Sequence, residues 1–306
     1  MAPLPQIAAT ALAAIVAAQL SASVPLQGVT VSVSVLDAVN RPVTDLTTEE
    51  FEVFVDASAV PVTSVSRRGP LSLAVVIDTS RSTGWGRTGT IRAPHEEVLV
   101  VLSSLRDDDM VRFASFGPRV RFAGPWRPRA GRTFRDEVEK AFKADADETH
   151  GPSPIWDVIY ETVETLATQP PPRAMLLLSD GRSTGNSRSV QFVADFAAIH
   201  GVAIHSILPY FEMRIPQGEM KAVAVRPWIT LEALATFTGG TAVGFPVFQQ
   251  LRGLELSEQL GWAIRDSYSV RIAPAADGSL HRLDVRVKRP DLKISAPVAI
   301  FSAKPR

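Results

Sequence analysis

The sequence predicts an α/β protein: a doubly wound, mostly parallel sheet inserted in a small β-sandwich formed by the N- and C-terminal flanks. Three observations predict it. The middle of the chain alternates uninterrupted apolar runs with amphipathic helical stretches, the pattern of strands buried on both faces between helices. The flanks alternate apolar and polar residues with period two, as half-buried strands do. Each flank has too few strands to bury a stable sheet alone, so pairing the two across the insertion is the economical arrangement.

Composition sets the outer bounds. The chain has 306 residues, enough for one large domain or two modest ones. Hydrophobic residues make up 45% and charged residues 21%, a globular balance. Lys+Arg and Asp+Glu both number 32, so the formal net charge is zero and the electrostatic footprint of a nucleic-acid binder is missing. The lack of cysteine excludes disulfides, thiolate metal sites and cysteine nucleophiles together.

No charged side chain occurs from Met1 to Leu36, and Ile7 to Ala18 is mostly alanine, isoleucine, valine and leucine. Residues 1–25 therefore read as a signal peptide, with Ser21, Ala22 and Ser23 as small residues for cleavage. No Lys or Arg precedes the apolar run, so an uncleaved membrane anchor or a buried helix stays open. The expectation is export, to the periplasm or the medium, with membrane attachment only if the leader is uncleaved.

Residues 28–68 form a β flank. Val29, Val31, Val33 and Val35 alternate with polar residues, "AVNRP" turns, and "TTEE" (Thr47 to Glu50) reads as a short capped helical turn. Phe51, Val53 and Val55 alternate again, as do Val60 and Val62 around Pro61. Residues 71–267 then switch pattern. "LSLAVVID" is a strand buried on both faces, and a helix follows from about Arg92 to Leu105. "DMVRFASF" and "RVRFAG" are strands, and "TFRDEVEKAFKAD" is a helix. "PIWDVIYETVETLA" is a second, with Ile155, Val158, Ile159, Val163 and Leu166 on one face. "AMLLLSD" is a buried strand, "SVQFVADFAAIHG" a helix ending on glycine, and "VAIHSIL" a strand. Residues 229–239 and 248–266 are helical around the short strand "TAVGF". Residues 268–302 return to alternation at Tyr268, Val270 and Ile272, then Leu283, Val285 and Val287, then Leu292 and Ile294.

Ligands of doubly wound sheets bind beyond the carboxyl ends of the strands. Asp78, Ser80 and Ser82, in "AVVIDTSRST", follow directly on such a strand, and Asp180 ends another. Ser153 joins them by arithmetic. A helix from Pro154 to Gln169 advances roughly 24 Å, and the strand Ala174 to Asp180 returns roughly 23 Å. Ser153 therefore lies on the edge that carries Asp180. Each segment taken alone has a structural reading: Asp and Ser cap helices, Asp-Gly turns, and Ser153-Pro154 starts a helix. Their joint placement points to a site. Two carboxylates and three hydroxyls are hard oxygen donors suited to Mg²⁺, with Mn²⁺ or Ca²⁺ as competitors, rather than to zinc or copper. Two carboxylates leave the ion under-neutralised, so a vacant position would attract an outside carboxylate.

This constellation resembles the von Willebrand factor A-type family with its metal-ion-dependent adhesion site. "DTSRS" is similar to the family's DxSxS, "LLLSDG" to the strand bearing its last aspartate, and "PSPIWD" to the segment that usually reads G-T-A-L-Y-D. The resemblance covers about Leu71 to Ser267. It implies that Asp78, Ser80, Ser82, Ser153 and Asp180 form the metal site, with hydroxyls binding directly and aspartates often through water. The flanks resemble those of a bacterial VWFA-related group, common in acidobacteria and typically exported. Two departures stand out. Ser153 replaces the usual threonine and loses a methyl that stiffens the rotamer. Arg81 stands where glycine is commonest; pointing to solvent it would recruit acidic partners, and folded over the ion it would weaken binding.

The function expected is metal-dependent binding of a protein ligand with an exposed Asp or Glu, with Arg81 and Trp85 as partner contacts and no catalysis. Two alternatives stay open. One is a scaffold that binds no metal. The other is a serine hydrolase using Ser153 and His150, which lacks a G-x-S-x-G elbow. The other histidines, His95, His200, His205 and His281, read as caps or satisfied core residues. "YFEMRIPQGEMKAVAVRP" (Tyr210 to Pro227) reads as a long loop near the metal edge.

Overall fold

The computed structural model describes residues 28–84, 93–143, 151–210, 229–246, 249–274 and 276–304. The leader, Trp85, His150 and the loop after Tyr210 lie outside the described residues.

The central sheet has six strands in the order β10-β9-β8-β5-β6-β7. They are β5 (Ser72–Asp78), β6 (Met110–Phe116), β7 (Val120–Pro128), β8 (Arg173–Leu178), β9 (Val202–Tyr210) and β10 (Ala242–Pro246). All neighbours pair in parallel except β6 and β7, which are antiparallel. Strand β7 runs beyond "RVRFAG" to Pro128 as an edge strand. Gly124 takes a φ of 64° beside Pro125, and the register shifts opposite them between Val111 and Phe113. An edge tolerates a residue without a donor there, because only one side of β7 is paired.

Helices cover both faces. The uninterrupted apolar runs divide by parity, as the pleat requires. Leu73, Val75 and Ile77 of β5 and Leu176 and Leu178 of β8 face one core. That core is covered by α1 (His95–Ser103), α2 (Arg135–Phe142) and α6 (Gln250–Arg265). Ala74, Val76, Met175 and Leu177 face the other, under α3 (Ile155–Ala167), α4 (Val190–Ile199) and α5 (Ile229–Phe237). Burying each such aliphatic side chain contributes about 1.5–3 kcal/mol. Helix α3 buries Ile155, Val158, Ile159, Val163 and Leu166, the face read from the sequence.

The flanks form two antiparallel sheets. One has the order β13-β1-β11-β4, the other β14-β12-β2-β3. Their strands are β1 (Val29–Leu36), β2 (Phe51–Val55), β3 (Ser58–Val60), β4 (Val62–Arg67), β11 (Tyr268–Ile272), β12 (Ser279–Val287), β13 (Lys293–Ser295) and β14 (Ala299–Ser302). N-terminal β1 pairs with C-terminal β11, and β2 with β12. Val31, Val33, Phe51, Val53, Val270 and Leu283 share one core, so the two sheets make a sandwich around the insertion. Pro61 sits where the chain leaves β3 in one sheet for β4 in the other. Strand β14 carries no clear alternation, so hydrophobic periodicity does not predict it.

The chain enters the α/β unit at Arg68 and leaves it near Ile264 to Ser267. The Arg68 guanidinium, buried with Asp109, donates to both carboxylate oxygens at 2.7 and 2.8 Å and to the Ile264 carbonyl at 2.8 Å. Arg106 donates to the carbonyls of Arg68 and Arg265. Entry and exit are thus tied together below the N-terminal end of β6.

Candidate metal centre

Strand order places the site. After β5 the chain passes through α1 on one face to β6, whereas after β8 it passes through α4 on the other face to β9. The loops following β5 and β8 therefore diverge, and a crevice opens between their carboxyl ends. Asp78 stands on one side of that switch point and Asp180 on the other.

Asp78 is fully buried at the last position of β5. Its Oδ1 accepts from the Ser80 backbone N–H at 2.9 Å and its Oδ2 from the Ser179 hydroxyl at 2.6 Å. Burial pushes its carboxyl up to about 7, and the negative charge of Asp180 adds to the rise against the lowering effect of the two serines. Ser80 is buried and Ser82 half-buried, with their hydroxyl oxygens 3.1 Å apart. A single turn of 3₁₀ helix, Arg81–Thr83, carries this loop, closed by the Thr83 hydroxyl on the Ser80 carbonyl at 2.8 Å. Arg81 is exposed on that turn.

The β8 loop is laced to the start of α3. Ser153 donates its backbone N–H to the Thr184 hydroxyl at 3.0 Å, and Thr184 donates back to the Ser153 carbonyl at 2.8 Å. Asn186 accepts from the Trp156 N–H at 2.8 Å. Asp157 accepts from the N–H groups of Ser187 and Arg188. Arg188 returns a side-chain bond to Asp157 and stacks its guanidinium 3.8 Å from the Tyr160 ring centroid. These contacts bring Ser153 to the Asp180 edge, where the length arithmetic put it.

Ser153 does not act as a cap. The helix begins at Ile155 with Pro154 at the capping position, and the buried Ser153 hydroxyl has no hydrogen-bond partner among the described residues. The hydroxyls of Ser206 and Ser257 share that condition, but they lie within β9 and α6 rather than at the crevice. An unsatisfied buried hydroxyl costs about 1–3 kcal/mol, so its persistence at a ligand edge calls for a partner. Asp180 is 8% exposed, accepts from the Arg182 N–H at 3.0 Å and has the Arg182 side chain 3.9 Å away.

The donor set fits a hard divalent cation: two carboxylates, three hydroxyls, and no nitrogen or sulfur. Among the described residues, no group of three or more His, Cys, Asp or Glu side chains is placed to hold a metal, at this crevice or elsewhere, so any cation here would depend on hydroxyls beside the two carboxylates. Sequence reasoning missed Ser179, Thr184, Asn186 and Asp157, which position the donors. Ser179 could have been found from parity, as the polar residue between a buried run and Asp180. The Asp157 and Thr184 contacts depend on a loop trace that local patterning does not supply.

The remaining histidines divide. His205 is buried and accepts from the Thr241 N–H at 3.1 Å, and burial takes its imidazole down to about 4. His200 ends α4. His281, expected as a cap or core residue, is instead held between two carboxylates.

No family model and no curated protein matches the chain. Similar solved structures include a von Willebrand factor type A protein from Catenulispora acidiphila, at 11% identity and TM-score 0.48 over 92% of this chain and 75% of that one. The ArnB paralog VWA2 from Sulfolobus acidocaldarius is similar at 14% identity and TM-score 0.43, over 90% of this chain and 76% of that one. Proximal thread matrix protein 1 of the mussel byssus is similar at 16% identity and TM-score 0.45, over 65% of this chain. The chain spans about half, 50%, of the length of that mussel protein. Likeness at TM-scores this low decides neither the fold nor a ligand. The description of the architecture rests on the strand order and the two packed faces themselves.

Proposed function

We propose that the chain is a cation-dependent protein-binding module of the von Willebrand factor A type, belonging to the exported bacterial VWFA-related group. Asp78, Ser80, Ser82, Ser153 and Asp180 would hold Mg²⁺, with Mn²⁺ or Ca²⁺ in competition. The ion, when bound, supplies positive charge that two carboxylates only partly neutralise. The residual charge would take an Asp or Glu carboxylate from a protein partner, with Arg81 and Trp85 as the proposed partner contacts. The observation that carries this reading is the buried Ser153 hydroxyl, left without a partner among the described residues, at the edge where Asp78 is buried with no counter-charge among them.

Each residue has a task in this reading. Asp78 supplies charge that burial makes costly until a cation arrives. Ser179 and the Ser80 N–H fix the orientation of its carboxylate. Ser80 and Ser82 face their oxygens toward one another, and the Thr184 lacing holds Ser153 in register. No covalent step is asked of any of them; the alternative of a hydrolase on Ser153 and His150 turns on a histidine outside the described residues.

Melting temperature tests the proposal, measured in EDTA and in millimolar Mg²⁺, Mn²⁺ or Ca²⁺. A cation at 100 times its dissociation constant adds about 2.7 kcal/mol. For a domain of this size that is about 5–10 °C. The shift should vanish in Asp78→Ala. No shift with any of the three ions would reject the cation and leave a scaffold that assembles through its surfaces.

A further inference from the structure

Asp56, in the β2–β3 turn, meets Asp277 and His281 at the start of β12, at one end of the sandwich. His281 Nδ1 lies 2.7 Å from Asp56 Oδ2, and its Nε2 lies 3.0 Å from Asp277 Oδ1. The imidazole side chain is only 11% exposed, whereas the two carboxylates are 58% and 51% exposed. Ser279 Oγ stands 3.2 Å from the same Nε2 and donates to Asp277 Oδ1 at 2.5 Å.

Serine, histidine and aspartate in sequence resemble a nucleophile with its base, but Asp277 removes that chemistry. A base must present a lone pair to the serine proton. Here Nε2 faces a carboxylate oxygen, and the serine proton is already given to that carboxylate. A different property follows. Neutral imidazole carries one N–H, and imidazolium carries two. With a carboxylate oxygen at each ring nitrogen, only imidazolium can donate to both. We propose that His281 is a proton-operated clasp: protonated, it ties the β2–β3 turn to the loop ahead of β12, and neutral, it releases one of them.

What the clasp holds is a strained turn. Asp56 and Ala57 both have positive φ, 48° and 65°, a conformation that side chains rarely adopt. Asp56 stays partly anchored without the imidazole, because its Oδ1 accepts from the Arg282 N–H and its own N–H donates to the Arg282 carbonyl. The neighbouring elements add few charges. Lys304, beyond β14, runs its side chain over Gly278 beside Asp277. Strand β14 places uncharged Ile300 opposite His281. Arg282 and Asp284 project from the other face of β12, where Asp284 pairs with Arg286.

The titration directions agree with this geometry. Asp56 and then Asp277 hold the imidazole above its ordinary 6.5. His281 in turn holds Asp56 below the usual carboxylate range. Ser279 and then His281 take Asp277 down to about 2. A raised histidine contributes stability that is complete below 6.5 and lost as pH rises through its folded value. The lowered carboxylates contribute above 3.8 and lose their contribution below it. The clasp is therefore tightest between about pH 4 and 6.5 and opens on the alkaline side.

NMR on the full chain tests it. The imidazole shift of His281, assigned by its loss in His281→Gln, is followed from about pH 5 to 9. The expected midpoint lies above 6.5 and moves toward 6.5 in Asp277→Asn and Asp56→Asn. A midpoint at or below 6.5, or one that both substitutions leave in place, overturns the clasp. Denaturant midpoints give a second measure. The advantage of the native protein over His281→Gln should shrink as pH rises above 6.5, with the contribution of Asp78 cancelling between them. A difference independent of pH overturns the proposal equally.

Discussion

Asp78 and Asp109 are both fully buried, one ending β5 and the other just preceding its neighbour β6, yet they are opposite kinds of residue. Asp109 sits just before β6 at the N-terminal end of the sheet. It accepts two bonds from the Arg68 guanidinium and one each from the backbone N–H groups of Leu71 and Arg106. Its charge is answered within the protein. Asp78, at the C-terminal end, accepts one serine hydroxyl and one N–H, and a second carboxylate lies nearby. Burial in each case raises the cost of a charge. At one edge the fold offsets that cost and ties its own linkers together with it. At the other the cost is left standing, as the cation site we propose there would require.

The largest effect should come from breaking the answered pair. Arg68→Ala leaves Asp109 buried without its counter-charge and frees the Ile264 carbonyl, which should cost about 3–5 kcal/mol in denaturant titration. An effect under about 1 kcal/mol would mean that water reaches Asp109 and that the two edges are less different than they look.

The next effect is one of pH. In EDTA, folded Asp78 keeps its proton up to about 7, whereas the unfolded chain loses it near 3.8. The folded state binds more protons in between, so stability of the cation-free protein should fall as pH rises from 3.8 toward 7. Saturating Mg²⁺ should flatten that slope, and Asp78→Asn should abolish it with or without the ion. The same slope in Asp78→Asn would assign it to another group.

The smallest effect is the most discriminating. Ser153→Ala removes a buried hydroxyl that bonds to nothing among the described residues, so the cation-free protein should be unchanged or stabilised by up to about 1 kcal/mol. Its apparent Mg²⁺ affinity, read from the melting shift, should nevertheless drop about tenfold, roughly 1.4 kcal/mol. Equal losses with and without the ion would make Ser153 an ordinary packing residue.

Much of this was legible in the sequence. The buried run "LSLAVVID" assigned β5 to a two-faced sheet, and the alternation at Val29 to Val35 assigned β1 to a one-faced one. Asp78, Ser80, Ser82, Ser153 and Asp180 were all placed on one edge by strand ends and chain length. Hydrophobic periodicity is local, so it reports which elements form and which ends their loops occupy. Strand β14 was not legible because "AIFS" is too short to show a period.

Compensation of polar groups was not legible at all. Arg68 reaches Asp109 across 41 residues and His281 reaches Asp56 across 225. The sequence by itself determined the α/β order, the flanking β segments and which strand ends carry Asp78 and Asp180. Only the tertiary structure decided which buried carboxylate is neutralised, which hydroxyl is left without a partner, and that a histidine lies between two aspartates. Whether a buried charge is answered depends on a few ångströms between distant segments, and residue spacing along the chain carries no record of that distance.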